Sequence, residues 1–486
     1  MIIRFLGADR TVTGSSHLIE VNGLRILLDC GIYQGPRDEA RRLNTLVPSE
    51  PGSIDAVILS HGHLDHSGKL PVLLLAGYRG PIYCTSATSD VARIILEDSA
   101  KIQEEDAAYL NRRAIDPNQA PISPLYTAAD VLPVIRAMKH VEWNRKIDLG
   151  RGVAFTLFDA GHILGSSYVW IEWTEQDEAA KKKRTLLFTA DIGRYNTPIN
   201  EDPVAPPGAA DLLITESTYG GRSHGPIDQV EPQFEDAVKA CVQRQSRLLV
   251  PSFAVGRTQT VLYYIAKLVA EKKIPPIRTY IDSPMGVEVS HVYAKYGQQF
   301  DDESRELMGE KDLLKFSGVI LSRTGDDSRK INNDRGPCVI IASSPTCEFG
   351  RILHHLKQSL ENPKDIVLFV GFTPGGTLGR RIQDGQKRLR VFDRWYDLRC
   401  EVRTVHGLSA HADADELERF LAPALGESTQ AFVVHGEPEQ SEAFAARMVA
   451  RGVRSAVIPA MTTSMSLYAI SQQKTIATKP AASDGD

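Results

Sequence analysis

The stretch Ser60-His61-Gly62-His63-Leu64-Asp65-His66-Ser67-Gly68 decides how the chain is read. Four side chains able to ligate a metal ion fall within six positions, between the apolar run Ala56-Val57-Ile58-Leu59 and the helix-compatible run Leu70 to Leu75. They therefore occupy a loop that leaves a strand. Neutral imidazole nitrogen and carboxylate oxygen are both zinc ligands, and a loop splays alternate side chains. His61 and His63 can thus face one ion while Asp65 and His66 face another. Four solvated turn residues would not explain why three histidines gather here in a chain that has only 13.

This HxHxDH arrangement after an apolar strand resembles the signature of the metallo-β-lactamase superfamily. The surrounding SHGHLDHSG is similar to its branch that acts on nucleic acids. The composition is compatible with such an enzyme. At 486 residues two cores, hence two or three domains, are expected. Hydrophobic residues at 42% and charged residues at 24% are ordinary for a globular chain, and the apolar runs are strand-length, too short to span a bilayer. The N-terminal Met1-Ile2-Ile3-Arg4-Phe5-Leu6-Gly7 lacks the apolar core of a secretory signal. Six cysteines (Cys30, Cys84, Cys241, Cys338, Cys347, Cys400) show no CxxC pairing, which fits free thiols in a reducing compartment, so a cytoplasmic location is expected. The net charge of −5 argues against a simple basic nucleic-acid binder, although a local channel with metal ions could still hold a phosphate backbone.

In chain order, strands are expected at Ile2 to Leu6, His17 to Val21 and Leu24 to Leu28, the last two joined by an Asn22-Gly23 turn. His17 reads as a hydrogen-bonded strand histidine. Asp29 ends the third strand; as a bare residue it is a cap or turn former, but the resemblance implies that it braces the metal loop from behind the ligands. A strand at Ile82 to Thr85 is followed by a helix from Ser89 to about Leu110, a Pro-containing loop over 111–124 and a helix from Ala128 to Lys139. His140 reads as structural.

Two later strands end in further candidate ligands. Val153 to Phe158 runs into Asp159-Ala160-Gly161-His162, where glycines permit a close approach, and His162 is the candidate third imidazole for the first metal. Leu186 to Ala190 runs into Asp191, whose two oxygens could bridge two cations about 3.5–4 Å apart. The charged run between them, Glu175 to Glu178 and Lys181 to Arg184, reads as a solvated hairpin tip.

Thr215-Glu216-Ser217-Thr218-Tyr219-Gly220 is similar to the acidic motif that opens the β-CASP insert of RNA- and DNA-processing nucleases. The resemblance implies an α/β fold: a metallo-β-lactamase αββα sandwich (residues 1–220 and 396–471) with an inserted β-CASP domain (221–395), in which alternating strands and helices argue for a mostly parallel sheet. The polar tail with Pro480 (472–486) reads as disordered. Pro251 to Arg257 and Gly376 to Arg380 also look like family segments. Ser252, Arg257, Gly376 and Arg380 are candidate phosphate contacts, the alternative being turns that merely need glycine. Pro345 and Phe349 stand where the family tends towards glycine, and Phe372-Thr373-Pro374-Gly375 also departs from the usual pattern. His354-His355 in a helical stretch point to different faces and read as structural. Ser409-Ala410-His411-Ala412-Asp413 and a strand ending at His435 look like the last two family motifs; a histidine at the latter position resembles the RNA-acting members.

The resemblance implies two zinc ions per chain. His61, His63, His162 and Asp191 would hold one; Asp65, His66, His435 and the shared Asp191 would hold the other. It implies hydrolysis of RNA by a two-metal-activated hydroxide, leaving a 5′-phosphate and a 3′-hydroxyl, with Asp65, Glu216 and His411 as catalytic residues. His411 would act as general acid and Glu216 would hold it. Single-stranded RNA is the expected partner; a homodimer is possible, and no membrane is expected. Endonuclease and 5′-exonuclease action both stay open. The J-type ribonucleases usually carry a further C-terminal domain that the remainder after His435 is too short to supply. A small-molecule hydrolase of the thioesterase or lactonase type and a catalytically silent RNA-binding scaffold are the alternatives.

Overall fold

The computed structural model describes residues 1–113, 121–175, 181–308, 314–334, 336–371, 373–461 and 463–466. The expected tail, Phe372, and the middle parts of the 111–124 loop and of the charged run after Glu175 lie outside these residues.

The first lobe is a sandwich of two sheets between helices. Among the described residues one sheet orders its strands as Ser464–Ser466, Ile2–Phe5, His17–Val21, Leu24–Leu28, Ala56–Ile58, Ile82–Cys84 and Met138–His140. The other runs Ser455–Val457, Gln430–Val433, Leu212–Thr215, Lys183–Phe188, Ser167–Thr174, Val153–Asp159 and Lys146–Gly150. Sheets covered on both faces need apolar residues on both. In the strand Leu24–Leu28, Ile26 and Leu28 enter the core between the sheets with Phe155, Ile171 and Phe188. Leu27, pointing the other way, packs under the helices with Leu73, Leu96 and Val134. The opposite outer layer sets Leu417, Phe420 and Phe444 against Trp170, Leu213 and Val433.

The Asn22-Gly23 turn is present, with both residues at positive φ (+49° and +76°), as a two-residue hairpin requires. Two expectations are corrected. The helix expected to reach Lys139 spans Ala128–Ala137 and stops there, because Met138–His140 is taken up as an edge strand paired with Ile82–Cys84. His17 lies in its strand, but neither ring nitrogen has a hydrogen-bond partner; the ring packs edge-on to Phe5 and Phe188, and burial pushes its pKa down to about 3.

Among the described residues the second lobe is built on a six-stranded sheet, all parallel, in the order Val319–Leu321, Arg278–Ile281, Cys338–Ala342, Arg247–Pro251, Ile366–Phe369, Glu401–Thr404. Its last strand lies beyond residue 395, where the sequence reading ends the insert. One face of this sheet, with Leu248, Val250 and Leu368, packs into a core that also takes in Ala87, Val91 and Ile163 of the first lobe. The other face, with Leu249, Val367 and Phe369, is covered by the helix Ile352–Ser359, the helix Leu378–Gln383 and a two-stranded hairpin, Arg388–Val391 with Arg394–Asp397. All six cysteines are buried and free. Among the described residues no helix is long and apolar enough to cross a membrane.

Candidate metal centre

Strand direction gathers the site. Lys183–Phe188, Leu212–Thr215 and Gln430–Val433 are neighbours and parallel, so the residues following them, Asp191, Glu216 and His435, emerge at one end. Val153–Asp159, antiparallel to the strand that is itself antiparallel to Lys183–Phe188, delivers His162 to the same end. In the facing sheet Leu24–Leu28 and Ala56–Ile58 are parallel, which sets Asp29 beside the loop that carries His61 to His66. Backbone hydrogen bonds lace that loop down: Cys30 N–H donates to His66 O (2.8 Å), Ser15 N–H to Asp65 O (2.8 Å) and Ile32 N–H to Leu64 O (3.1 Å). The fit is close at Gly31, where any Cβ would stand 1.6 Å from the Asp65 carbonyl oxygen. Asp29, Ala190 and His435 hold positive φ (+56°, +47° and +49°), the kind of strained non-glycine backbone that clusters at functional sites.

Four of the imidazoles, those of His66, His162, His61 and His435, are oriented from behind. His66 Nδ1 lies 2.7 Å from Asp29 Oδ2, and Asp29 also accepts from Ser60 N–H (2.8 Å) and from the Ser60 and Ser15 hydroxyls. His162 Nδ1 faces the Ala410 carbonyl at 3.0 Å, His61 Nδ1 the Ser60 hydroxyl at 3.0 Å, and His435 Nδ1 the Thr218 hydroxyl at 3.2 Å. Their Nε2 atoms are left facing inward. Asp191 Oδ2 is 3.3 Å from His66 Nε2, 3.5 Å from His61 Nε2 and 3.6 Å from His162 Nε2, while its Oδ1 is 3.5 Å from His435 Nδ1. His435 Nε2 is 3.5 Å from Asp65 Oδ2. The structure thus brings together all seven residues named as ligands.

These donors suit divalent metal ions. Donor atoms of His61, His63, His162 and Asp191 lie within 4.8 Å of one another, and so do those of Asp65, His66 and His435. His66 Nε2, His435 Nε2 and Asp191 Oδ1 are buried with no hydrogen-bond partner, a costly state for polar atoms that a bound cation relieves. Burial holds His61 and His162 well below the usual histidine range and brings His63 down to about 4, so these three rings are neutral, the form that ligates. Asp191 and Asp65 are ionised: burial alone would raise both, but neighbouring histidines outweigh it, taking Asp191 well below its ordinary value and Asp65 to about 2.

Beside the donors, Glu216 is fixed by Ile192 N–H (2.7 Å to Oε1) and lies 3.2 Å from His411 Nδ1. His411 Nε2 then points inward, 4.0 Å from Asp191 Oδ2. Burial would lower the His411 pKa, but Glu216 and Asp191 raise it to about 9. Sequence reasoning missed His224, whose Nε2 lies 3.1 Å from the His411 carbonyl and whose ring stands edge-on to Tyr219 at 4.2 Å. Its only signal is its nearness to the TESTYG segment.

The four candidate phosphate contacts differ in accessibility. Ser252 is buried, and its hydroxyl donates to the Phe253 carbonyl (3.2 Å). The Arg257 guanidinium turns inward onto the Val370 carbonyl, and burial brings its pKa down to about 10. Gly376 borders open space at φ +81°, and exposed Arg380 pairs with Asp384 at 2.9 Å.

Three family models match the chain: a metallo-β-lactamase superfamily domain over residues 18–179, a Beta-Casp domain over 258–382, and a Zn-dependent metallo-hydrolase RNA specificity domain over 395–459. Ribonuclease TTHA0252 of Thermus thermophilus is 34% identical over 447 residues, which cover 92% of this chain and 95% of that protein. Transcription termination factor FttA of Methanocaldococcus jannaschii is 28% identical, over 91% of this chain and 68% of its own; that of Methanosarcina mazei is 27% identical, over 89% and 66%. A solved structure from Enterococcus faecalis V583, of unknown function, shares the fold at TM-score 0.52 and 14% identity, covering 96% of this chain and 99% of that one. The chain belongs to the β-CASP ribonuclease family of the metallo-β-lactamase superfamily.

Proposed function

We propose that the chain hydrolyses single-stranded RNA at this centre, leaving a 5′-phosphate and a 3′-hydroxyl. His61, His63 and His162 would hold one zinc ion and Asp65, His66 and His435 a second, with Asp191 within reach of both sets. When bound, zinc would supply Lewis-acid polarisation of the phosphodiester and a more acidic water. Asp65, ionised, accepts a hydrogen bond from that water and aims it. His411 is the general acid. With Nδ1–H donated to Glu216, its protonated Nε2 can pass a proton to the departing 3′-oxygen. Glu216 is held by backbone N–H groups and keeps the ring in that orientation.

The observation that supports this reading best is the Glu216–His411 pair standing against a set of buried, partnerless metal donors. End-labelled RNA incubated with the wild type and with Asp191→Ala tests it. The wild type should release 5′-phosphorylated fragments, and the variant, melting as a folded protein, should release none. Full activity in Asp191→Ala, or hydrolysis confined to thioester or lactone substrates, would overturn the reading.

A further inference from the structure

The hairpin Arg388–Val391 with Arg394–Asp397 contributes no donor to the metal centre. Its register pairs Arg388 with Asp397, Leu389 with Tyr396, Arg390 with Trp395 and Val391 with Arg394. Strand alternation then sorts the two faces. Leu389, Val391 and Tyr396 are buried against Leu356 and Ile382. The outward face presents Arg388, Arg390 and Trp395, the indole 52% exposed.

The charge runs against the rest of the molecule. Residues 387–399 hold five cationic side chains and two carboxylates in a protein of net charge −5. Asp397 faces Arg388 at 3.9 Å and Arg399 at 3.2 Å, while Lys387 and Arg390 have no ion-pair partner among the described residues. The rings are set for stacking. Arg388 lies 5.9 Å from the centre of Trp395, and Arg394 lies 5.2 Å from that of Tyr396. At the tip Phe392 is 50% exposed and takes φ +53°, a left-handed turn position where glycine or asparagine is the ordinary choice. Its ring packs at 5.1 Å from that of His354 and leaves the rest of its surface to solvent.

We propose that this hairpin is a second RNA-binding site, taking unpaired nucleotides by stacking bases on Trp395 and Phe392 and pairing phosphates with Arg388 and Arg390. The proposal rests on the RNA reading given above. The hairpin covers the face of the second lobe's sheet opposite to the one packed on the first lobe, so the sheet stands between it and the first-lobe residues Ala87, Val91 and Ile163, the last adjoining His162. It therefore engages long substrates and is out of reach of short ones.

The test compares RNAs of about 6 and about 40 nucleotides, the first no longer than one such stacking site and the second well above it. Cleavage is measured with metal present, and binding by anisotropy with a chelator that stops cleavage. A variant carrying Arg388→Ala, Arg390→Ala and Trp395→Ala should bind the long RNA about tenfold more weakly and lose about 1.4 units of the log–log salt slope, as expected for two lost single-strand phosphate contacts. It should cleave the short RNA as the wild type does. The milder Trp395→Phe guards against misfolding and should retain most of the long-RNA affinity. Unchanged long-RNA binding in the triple variant, an equal loss with both RNAs, or a fall in molar mass by light scattering, which would make the face a contact between copies, would each overturn the proposal. A wild type that binds long RNA through the hairpin yet cleaves neither length would remove the nuclease reading and leave this one standing.

Discussion

His63 and His411 carry the same side chain into the same centre and titrate in opposite directions, the first at about 4 and the second at about 9. Burial lowers both. His411 escapes because Glu216 lies against its Nδ1 and Asp191 faces its Nε2. The lowered ring fits the proposed ligand and the raised one the proposed acid, but direction alone does not set the role: His66, among the metal donors, is also raised, its burial outweighed by Asp191, Asp29 and Asp65. His411→Ala should accordingly lower kcat by roughly 10²–10⁴-fold, the usual worth of a positioned proton donor, with bound metal unchanged. Glu216→Gln should fall between the two in kcat, since the amide can still hold the ring but supplies no charge. Parallel measurements of turnover and metal content decide this, and lost metal in His411→Ala would make that histidine a ligand. Legibility at this scale follows contiguity. His61, His63, Asp65 and His66 declare themselves because they are neighbours in sequence. His162, Asp191, Glu216 and His435 are single residues at strand ends, recognisable only through family motifs. The groups that orient the rings, the Ala410 carbonyl and the Thr218 hydroxyl, leave no pattern, because almost any chain offers them.

Between elements, the second lobe is pinned by Asp282 at the end of the strand Arg278–Ile281. This buried carboxylate accepts from Ser322 and Ser328 (both 2.6 Å), from Arg351 (2.7 Å) and from His355 Nε2 (2.6 Å), tying three segments together. Burial alone would raise its pKa, but the bonds from His355, Ser322 and Ser328 prevail and bring it down to about 2. The sign follows. The unfolded carboxyl titrates near 3.8 and the folded one near 2, so the unfolded chain binds more protons in between. The stabilisation is complete above about pH 4 and drains away as pH falls towards 2. Asp282→Ala should cost about 3–5 kcal/mol, the penalty for stripping a buried charged network of one member, and should flatten that part of the acid limb of stability. Thermal melts between pH 2 and 6 read both. An unchanged acid limb would show that other carboxylates set it. The sequence foretold that His354 and His355 face different ways, as they do, with His354 exposed and His355 buried. It could not foretell that Arg257 turns inward or that Met138–His140 leaves its helix, because both depend on which distant backbone group is waiting.

On the scale of the whole molecule the two sheets of the first lobe and the segment returning from the second lobe all end at one point. Asp29 and the histidine loop come from one sheet, Asp191, Glu216 and His435 from the other, and Ala410 and His411 from the chain that has just left the strand Glu401–Thr404. The helix Pro284–Lys295 adds a tie from the second lobe, where Tyr293 Oη accepts from Leu164 N–H at 3.3 Å, two residues beyond His162. The lobes themselves were readable from motif order, since metal motifs stand on both sides of the insert, whereas the pairing of Glu401–Thr404 with Ile366–Phe369 is a long-range contact that no local signal announces. A cation that binds only the folded arrangement stabilises it by mass action, about 2.7 kcal/mol when present at a hundred times its Kd. Chelation should therefore lower the melting temperature, and zinc should restore it along with activity. His435→Ala should melt lower than the wild type in zinc but show a smaller chelator effect, because it has lost a donor for one ion and kept the other set. If chelation left the melting temperature of the wild type where it was, the inward-facing nitrogens and carboxylates would be satisfied by something other than metal.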